Sequence, residues 1–340
     1  MITFWQQEDR KVINRNEKEL DTSLNTWVDV RSVTREDIRI LEEEYHIEQE
    51  DILDILDQDE LSRVEKEDNY TLIIMRLPVF IADNDISYFT LPVGIIIMEK
   101  KIITICWTDS EVLNDFSSNR IRSLSLNDFP AMVIRLLSRS DTVFLRYLKE
   151  INRRASTIQG ELERSVKNNE LLQLLNLQKS LEYFQTSLKG NQMLLEKLTR
   201  TKVLPLDEED KDWLEDVNID NRQALEMADT YSNILSGMTD TFASIISNNL
   251  NIVMKRLTSI SLIMMVPTFI ASFFGMNVPL PFENDGWMGV IIIGIICLLT
   301  ATVTNFFLSD RRMSGESSSN RQKKKRTRHR INKTRKDQSK

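Results

Sequence analysis

Cysteine, histidine and glycine are scarce in this chain, and each scarcity closes off a class of chemistry. Only two cysteines occur in 340 residues, Cys106 in one apolar run and Cys297 in another, so neither a disulfide framework nor a CxxC site can form. His46 and His329 are the only histidines, too few for a histidine zinc centre. None of the nine glycines opens a GxxxxGK phosphate loop, which argues against a nucleotide-driven pump. No nucleophile–base pair and no dedicated set of metal ligands stands out, so neither an enzyme nor an organic cofactor is expected. Residues 1–10 lack the apolar core of a signal peptide, and the N-terminal mass is expected to stay in the cytoplasm.

Charge is missing from two long windows. Residues 257–282 and 286–308 contain no Asp, Glu, Lys or Arg. Each exceeds the roughly 20 apolar residues that a helix needs to cross a bilayer, and core helices of soluble proteins rarely run so far without a charge. Lys255 and Arg256 precede the first window and Arg311 and Arg312 follow the second, whereas the loop between them holds Glu283 and Asp285 and no base. This asymmetry predicts a multi-pass protein of the cell membrane with both termini in the cytoplasm and the short loop outside.

The remaining charge is unevenly divided. From Met313 onward, eleven Lys and Arg face only Glu316 and Asp337, a tail of +9 that leaves 33 basic against 49 acidic residues, or −16, on the rest. A Ser-rich and then Lys/Arg-rich tail suits the anionic headgroups of a lipid bilayer. No aromatic side chain is interleaved for base stacking, so nucleic acid is not an expected partner.

Between residues 26 and 110 the pattern mixes strands and helices. Tyr70–Met75, Gly94–Met98 and Lys101–Trp107 read as buried strands, and the acidic stretch from Ile38 to Leu61 reads as helices. Beyond Asn127 the spacing becomes helical, as in Leu174, Leu177, Leu181, Phe184 and Leu188. Pro205 and the acidic run 207–212 mark a turn, after which a helix is expected to start near Trp213 or Asn221. Its stripe of Ala224, Ala228, Tyr231, Leu235, Met238, Phe242 and Ile245 alternates four and three, a coiled-coil period. Continued to Phe274 it would extend about 80 Å at ~1.5 Å per residue, joining a stalk to the first span. The expected divisions are an α/β domain over residues 1–126, a helical stalk over 127–256, a two-helix membrane domain over 257–309 with its outer loop at 275–286, and a basic tail over 310–340.

At the outer end of the first span stands Phe274-Gly275-Met276-Asn277. Gly-Met-Asn at this position, followed by a short loop and a second span, resembles the signature of the CorA family of divalent-cation transporters, and the resemblance runs from about Trp27 to Arg312. It implies an α+β membrane protein: a cytoplasmic α/β domain, a stalk helix continuing into the first of two C-terminal transmembrane helices, and a funnel-shaped homopentamer around a central pore. The implied activity is passage of Mg²⁺, with Co²⁺ as a second cargo. Gly275, Met276 and Asn277 would form the selectivity motif.

Counted back from Asn277, the family's pore-facing positions fall on Thr268, Met265, Leu257, Met254 and Asn251. The residues themselves show a related stripe, since Asn251, Met254, Thr258, Ser261, Met265, Thr268 and Ser272 recur every three or four positions on an otherwise apolar helix. Small and hydroxyl residues serve tight helix packing as well as a pore, so the stripe alone leaves both readings open. A carboxamide at Asn251 and at Asn277 has no packing advantage and offers a carbonyl oxygen to a cation. The resemblance further implies that Asp216 helps to bind a regulatory Mg²⁺ between subunits, with Asp83 or Asp85 as partner. By its own position, Asp216 equally suits a solvated acidic helix start.

Two departures bear on cargo. Phe274 stands where relatives commonly carry Tyr, and the loop reads Val-Pro-Leu-Pro-Phe-Glu-Asn-Asp where many carry Met-Pro-Glu-Leu. A zinc-transporting branch shares Gly-Met-Asn, making Zn²⁺ the alternative cargo. A membrane-anchored coiled-coil scaffold is the alternative of another class.

Overall fold

The computed structural model describes residues 1–9, 11–82, 84–122, 124–164, 168–276 and 287–306. The chain forms two compact units, Met1–Ala243 and Ser244–Lys340.

Seven strands build the sheet of the first unit: β1 (Ile2–Glu8), β2 (Lys11–Arg15), β3 (Thr26–Arg31), β4 (Arg63–Lys66), β5 (Thr71–Phe80), β6 (Tyr88–Ile97) and β7 (Lys101–Cys106). Their order is β2-β1-β3-β7-β6-β5-β4, with β3 and β7 the parallel pair at the centre and every other pairing antiparallel. Successive side chains on a strand point to opposite faces, so the long apolar runs supply two cores at once. Val28, Val30, Leu72, Ile74, Ile96, Ile103 and Ile105 face one side, where Leu41, Ile52 and Ile55 of α1 (Arg35–Tyr45) and α2 (Gln49–Leu56) cover them. Trp27, Ile73, Met75, Ile95 and Ile102 face the other, beneath α3 (Glu111–Ser117), α4 (Phe129–Arg164) and α5 (Asn168–Arg200). The three expected strands are present. β5 and β6 run longer than their apolar cores suggested, and the hairpin β1–β2 was not expected.

Glycine at one position is enforced by packing. A Cβ on Gly94 of β6 would sit 2.2 Å from Cδ1 and 2.5 Å from Cγ1 of Ile55, itself fully buried. Ile55 is β-branched, so its χ1 is stiff, and it is fully buried. Gly94→Ala is therefore expected to destabilise the first unit by about 1–3 kcal/mol, the usual cost of overpacking. A denaturant midpoint checks this, and Ile55→Ala in the same chain should recover part of the loss.

A buried polar lock fixes α5 to the sheet. Arg76 of β5 donates from Nε to Ser187 Oγ at 2.9 Å and from Nη1 to the Glu60 carbonyl at 2.6 Å. Asn191 donates to the Arg76 carbonyl at 2.9 Å and accepts from its amide at 3.0 Å. Neutral acceptors thus satisfy a buried guanidinium, as burial requires.

Helix α6 (Glu208–Phe274) begins earlier than its apolar stripe indicated. The Asp210 amide donates to Asp207 Oδ1 at 2.8 Å and the Asp207 amide donates to Asp210 Oδ2 at 3.3 Å, a reciprocal cap. The carboxylates that read as a turn therefore start the helix. Within the first unit Ala224, Ala228, Leu235 and Phe242 are buried, together with the whole α5 stripe from Leu174 to Leu188. Asn221 donates to the Leu188 carbonyl at 3.0 Å and fastens the two helices.

One buried acid works against stability. Asp141 on α4 is buried and its Oδ2 has no hydrogen-bond partner. Burial holds its carboxyl well above the usual carboxylate range, and Asp220 adds to the rise. A raised folded-state pKa gives stability that is complete below the unfolded value of 3.8 and is lost as pH climbs through the folded value. Asp141→Asn is expected to stabilise the unit at pH 8 by on the order of 1 kcal/mol or more, with the gap closing toward pH 4. Melting curves across that range check the sign.

Candidate functional site

Two helices of the chain are long and apolar enough to cross a membrane, α6 and α7 (Trp287–Phe306). In the second unit they pack on each other: the Cys297 thiol donates to the Pro267 carbonyl at 3.8 Å. The sheltered residues of α6 recur at helical spacing, namely Ser259, Ile263, Val266, Pro267, Ile270 and Phe274. On α7 the sheltered set is Gly289, Ile292, Ile293, Ile296, Cys297, Thr300, Ala301 and Thr304. The bulky apolar residues outside these faces, from Leu250 and Met264 to Leu298 and Phe306, are bare. Apolar surface of that extent is suited to lipid and to neighbouring helices.

The polar stripe lies elsewhere on α6. Asn251, Met254, Leu257, Thr258, Ser261, Met265, Thr268 and Ser272 are all exposed. With 3.6 residues per turn, their mean direction falls roughly 180° from the face that meets α7. Packing between the two spans of one chain therefore does not account for the stripe. Lys255 and Arg256 come round at least about 90° away from its mean direction.

The hydroxyls on this stripe are oriented by the helix itself. Thr258 Oγ1 donates to the Met254 carbonyl at 2.8 Å, Ser261 Oγ to the Leu257 carbonyl at 3.0 Å and Thr268 Oγ1 to the Met264 carbonyl at 2.7 Å. Each hydroxyl proton is thereby spent on the helix, and the oxygen keeps its lone pairs for an incoming donor. Waters around a cation are such donors.

Helix α6 closes with the Gly275 amide donating to the carbonyls of Ala271 at 3.1 Å and Ser272 at 3.2 Å, and the Met276 amide to Phe273 at 3.4 Å. Gly275 does not take a left-handed backbone, and a Cβ on it would lie 3.4 Å from the Ala271 oxygen, an ordinary contact. The close of the helix within one chain does not by itself demand glycine there. Asn277 and the rest of the outer loop to residue 286 lie outside the described residues, as do Asp83 and the basic tail.

The acidic candidates of the first unit are kept apart. Asp216 lines a cavity of about 410 Å³ with Arg120, Arg122, Arg135 and Arg139. Asp85 lines another of about 440 Å³ with Arg153, Arg154 and Glu161. Within one chain the two carboxylates do not share a site, and no group of three or more His, Cys, Asp or Glu is placed to hold a metal among the described residues. The arginines around Asp216 were not singled out in the sequence. They come from the segment after α3 and from α4, and only the fold brings them to α6.

Comparison with known proteins bears on the whole arrangement. A sequence profile described as CorA-like Mg²⁺ transporter protein matches residues 24–312. The chain is 27% identical to the cobalt/magnesium transport protein CorA of Methanocaldococcus jannaschii over 282 residues, covering 80% of this chain and 87% of that protein. It is 22% identical over 293 residues to the protein of the same name from Thermotoga maritima, covering 84% and 83%. The complete structure of the CorA magnesium transporter from Methanocaldococcus jannaschii superimposes with a TM-score of 0.75 at 24% identity, covering 90% of this chain and 96% of that one.

Proposed function

Because this chain belongs to the family of CorA-like Mg²⁺ transporters, whose members carry divalent cations across membranes, we propose that its copies, five by the family's pattern, surround a pore lined by α6. Mg²⁺ is the cargo and Co²⁺ a second one. Gly275, Met276 and Asn277 form the outer selectivity motif, and Asn251, Met254, Leu257, Ser261, Met265, Thr268 and Ser272 line the path below it. The observation that carries this reading is the polar stripe on the side of α6 turned away from α7, with its hydroxyl protons directed into the helix.

The chemistry follows from how Mg²⁺ holds water. Its octahedral shell at about 2.1 Å is lost reluctantly, so capture of the bare ion is costly. A ring of Asn277 carbonyls accepts hydrogen bonds from those waters and favours the positive charge through its dipoles. Thr268 and Ser261 oxygens continue the same outer-sphere contact, and Met254 with Leu257 forms an apolar constriction that gates by dewetting. No nucleotide is needed, since a dication moving inward gains about 4.6 kcal/mol per 100 mV.

In this reading residues 1–126 and 127–256 are the cytoplasmic domain and stalk, residues 257–309 the membrane domain, and residues 310–340 a tail lying on anionic headgroups. Both termini are cytoplasmic. Asp216 of one copy and Asp83 or Asp85 of the next hold a regulatory Mg²⁺ that favours the closed pore by differential binding.

Cysteine accessibility tests the pore lining. In a Cys297→Ser background, with Cys106 fully buried, Ser261→Cys, Met265→Cys and Thr268→Cys are each expected to let a charged thiol reagent cut flux about tenfold or more, because a fixed charge then stands in a narrow path. Ile263→Cys and Ile270→Cys, on the face toward α7, are expected to be insensitive. The reverse pattern rules this lining out.

A further inference from the structure

Within Met1–Ala243, the cavity bounded by α4, α6 and the segment after α3 has a charge arrangement of which the transport reading uses only Asp216. Its volume, about 410 Å³, is that of a small-molecule site. Four arginines reach it, and two of them are already matched: Arg139 Nε donates to Asp115 at 2.7 Å, and Arg120 Nη1 pairs with the same buried carboxylate at 3.2 Å. The other two are not. Arg135 lies over the Trp213 ring, 4.2 Å from its centre, and donates to the Arg122 carbonyl at 2.9 Å. Neither Arg135 nor Arg122 has a carboxylate within ion-pair distance among the described residues, and Asp128, Asp210 and Glu209 act on Arg135 only through longer-range attraction. On the α6 side Asp216 and Asp220 stand one turn apart, and they too have no base within that distance among the described residues.

Two guanidinium groups and two carboxylates thus line one cavity without neutralising each other. A ligand that fits such a cavity carries both signs. We propose that it binds a Mg²⁺-chelated phosphate chain, of the kind found in nucleoside di- and triphosphates, with Arg122 and Arg135 on the phosphate oxygens and Asp216 and Asp220 facing the chelated ion. The guanidinium fork matches phosphate oxygens in shape and charge. Mg²⁺ is ordinarily held by one or two carboxylates together with substrate phosphates, keeping several of its waters, and this wall supplies two carboxylates. Burial lowers the pKa of the Arg135 guanidinium, a cost that a bound anion relieves. Trp213 is partly exposed at the cavity and offers aromatic surface to a base. The cytoplasmic unit would then respond to complexed Mg²⁺ as distinct from the free ion. The inference does not rest on the pore, and it competes for Asp216 with the metal proposed to be shared between copies.

Titration calorimetry on the full chain in detergent tests it, with four probes: inorganic tripolyphosphate with Mg²⁺, tripolyphosphate with EDTA, ATP with Mg²⁺, and Mg²⁺ alone. Saturable binding of both chelates is expected, much weaker with EDTA because Asp216 and Asp220 then repel the bare anion. ATP binding more tightly than tripolyphosphate would identify a nucleotide, and equal affinity the phosphate chain alone. Arg122→Ala, which truncates an exposed side chain, should weaken chelate binding about tenfold, the worth of one charge-assisted hydrogen bond. Asp220→Asn should weaken binding of the chelate and strengthen that of tripolyphosphate in EDTA. No chelate binding, unchanged affinity in Arg122→Ala, or equal affinity with EDTA overturns the proposal. If Mg²⁺ alone binds through Asp216 and the chelates do not, the regulatory-metal reading stands and this one falls.

Discussion

Asn277→Ala is expected to reduce Mg²⁺ entry into vesicles by about two orders of magnitude or more. In the proposed ring of five, each carboxamide would contribute one hydrogen bond to the ion's waters, worth about 0.5–1.5 kcal/mol net, so the ring as a whole would contribute roughly 2.5–7.5 kcal/mol at the mouth. Every 1.4 kcal/mol is about a factor of ten in occupancy. Asn277→Gln keeps the carbonyl but displaces it, and should retain part of the flux. Asn277→Asp should bind the ion more tightly and release it more slowly, lowering throughput at high Mg²⁺. Wild-type flux in Asn277→Ala would remove the selectivity motif from the account.

The second large effect is a gain, which misfolding cannot imitate. Leu257 and Met254 are exposed on the polar stripe of a single chain, at 58% and 52%, and would meet their copies across the pore. A buried leucine prefers apolar surroundings to water by about 1.5–3 kcal/mol. Even a modest share of that from each of the five proposed subunits passes ~1.4 kcal/mol, a factor of about ten in the population of a wetted path. Leu257→Asn is therefore expected to raise resting Mg²⁺ flux about tenfold or more and to keep it high when internal Mg²⁺ is high. Flux recorded at low and high internal Mg²⁺ checks both parts. A loss of flux, with the assembly intact, contradicts a hydrophobic gate at this level.

Legibility in the sequence followed the range of the interactions involved. The α5 stripe and the two apolar spans were readable because their period or their length is local, and the structure buries Leu174 through Leu188 accordingly. The start of α6 was misplaced because Asp207 and Asp210 look like a polar break until their reciprocal hydrogen bonds are seen. β1 and β2 are mostly polar, and only pairing across Trp5–Trp27 and Trp5–Asn14 makes them strands. The parallel pairing of β3 with β7 joins residues some seventy positions apart, beyond any local pattern. At the candidate site, the stripe from Asn251 to Ser272 was visible as a period, but its relation to α7 was not. Separating it from the face packed on the second span of the same chain needed the contact of Cys297 with Pro267. The arginine cavity was hidden for the same reason, its walls lying about eighty positions apart in the chain.

The most direct test places the purified full-length protein in sealed vesicles containing a Mg²⁺-sensitive dye, with an inside-negative potential imposed. Dye response to external Mg²⁺ is expected, slowed when the potential is removed and reversed in direction with it, and it should occur without nucleotide. Vesicles that stay impermeable to Mg²⁺ under these conditions, with the protein inserted and assembled, would contradict the account at its centre; entry of Zn²⁺ alone would keep the membrane path and change its cargo.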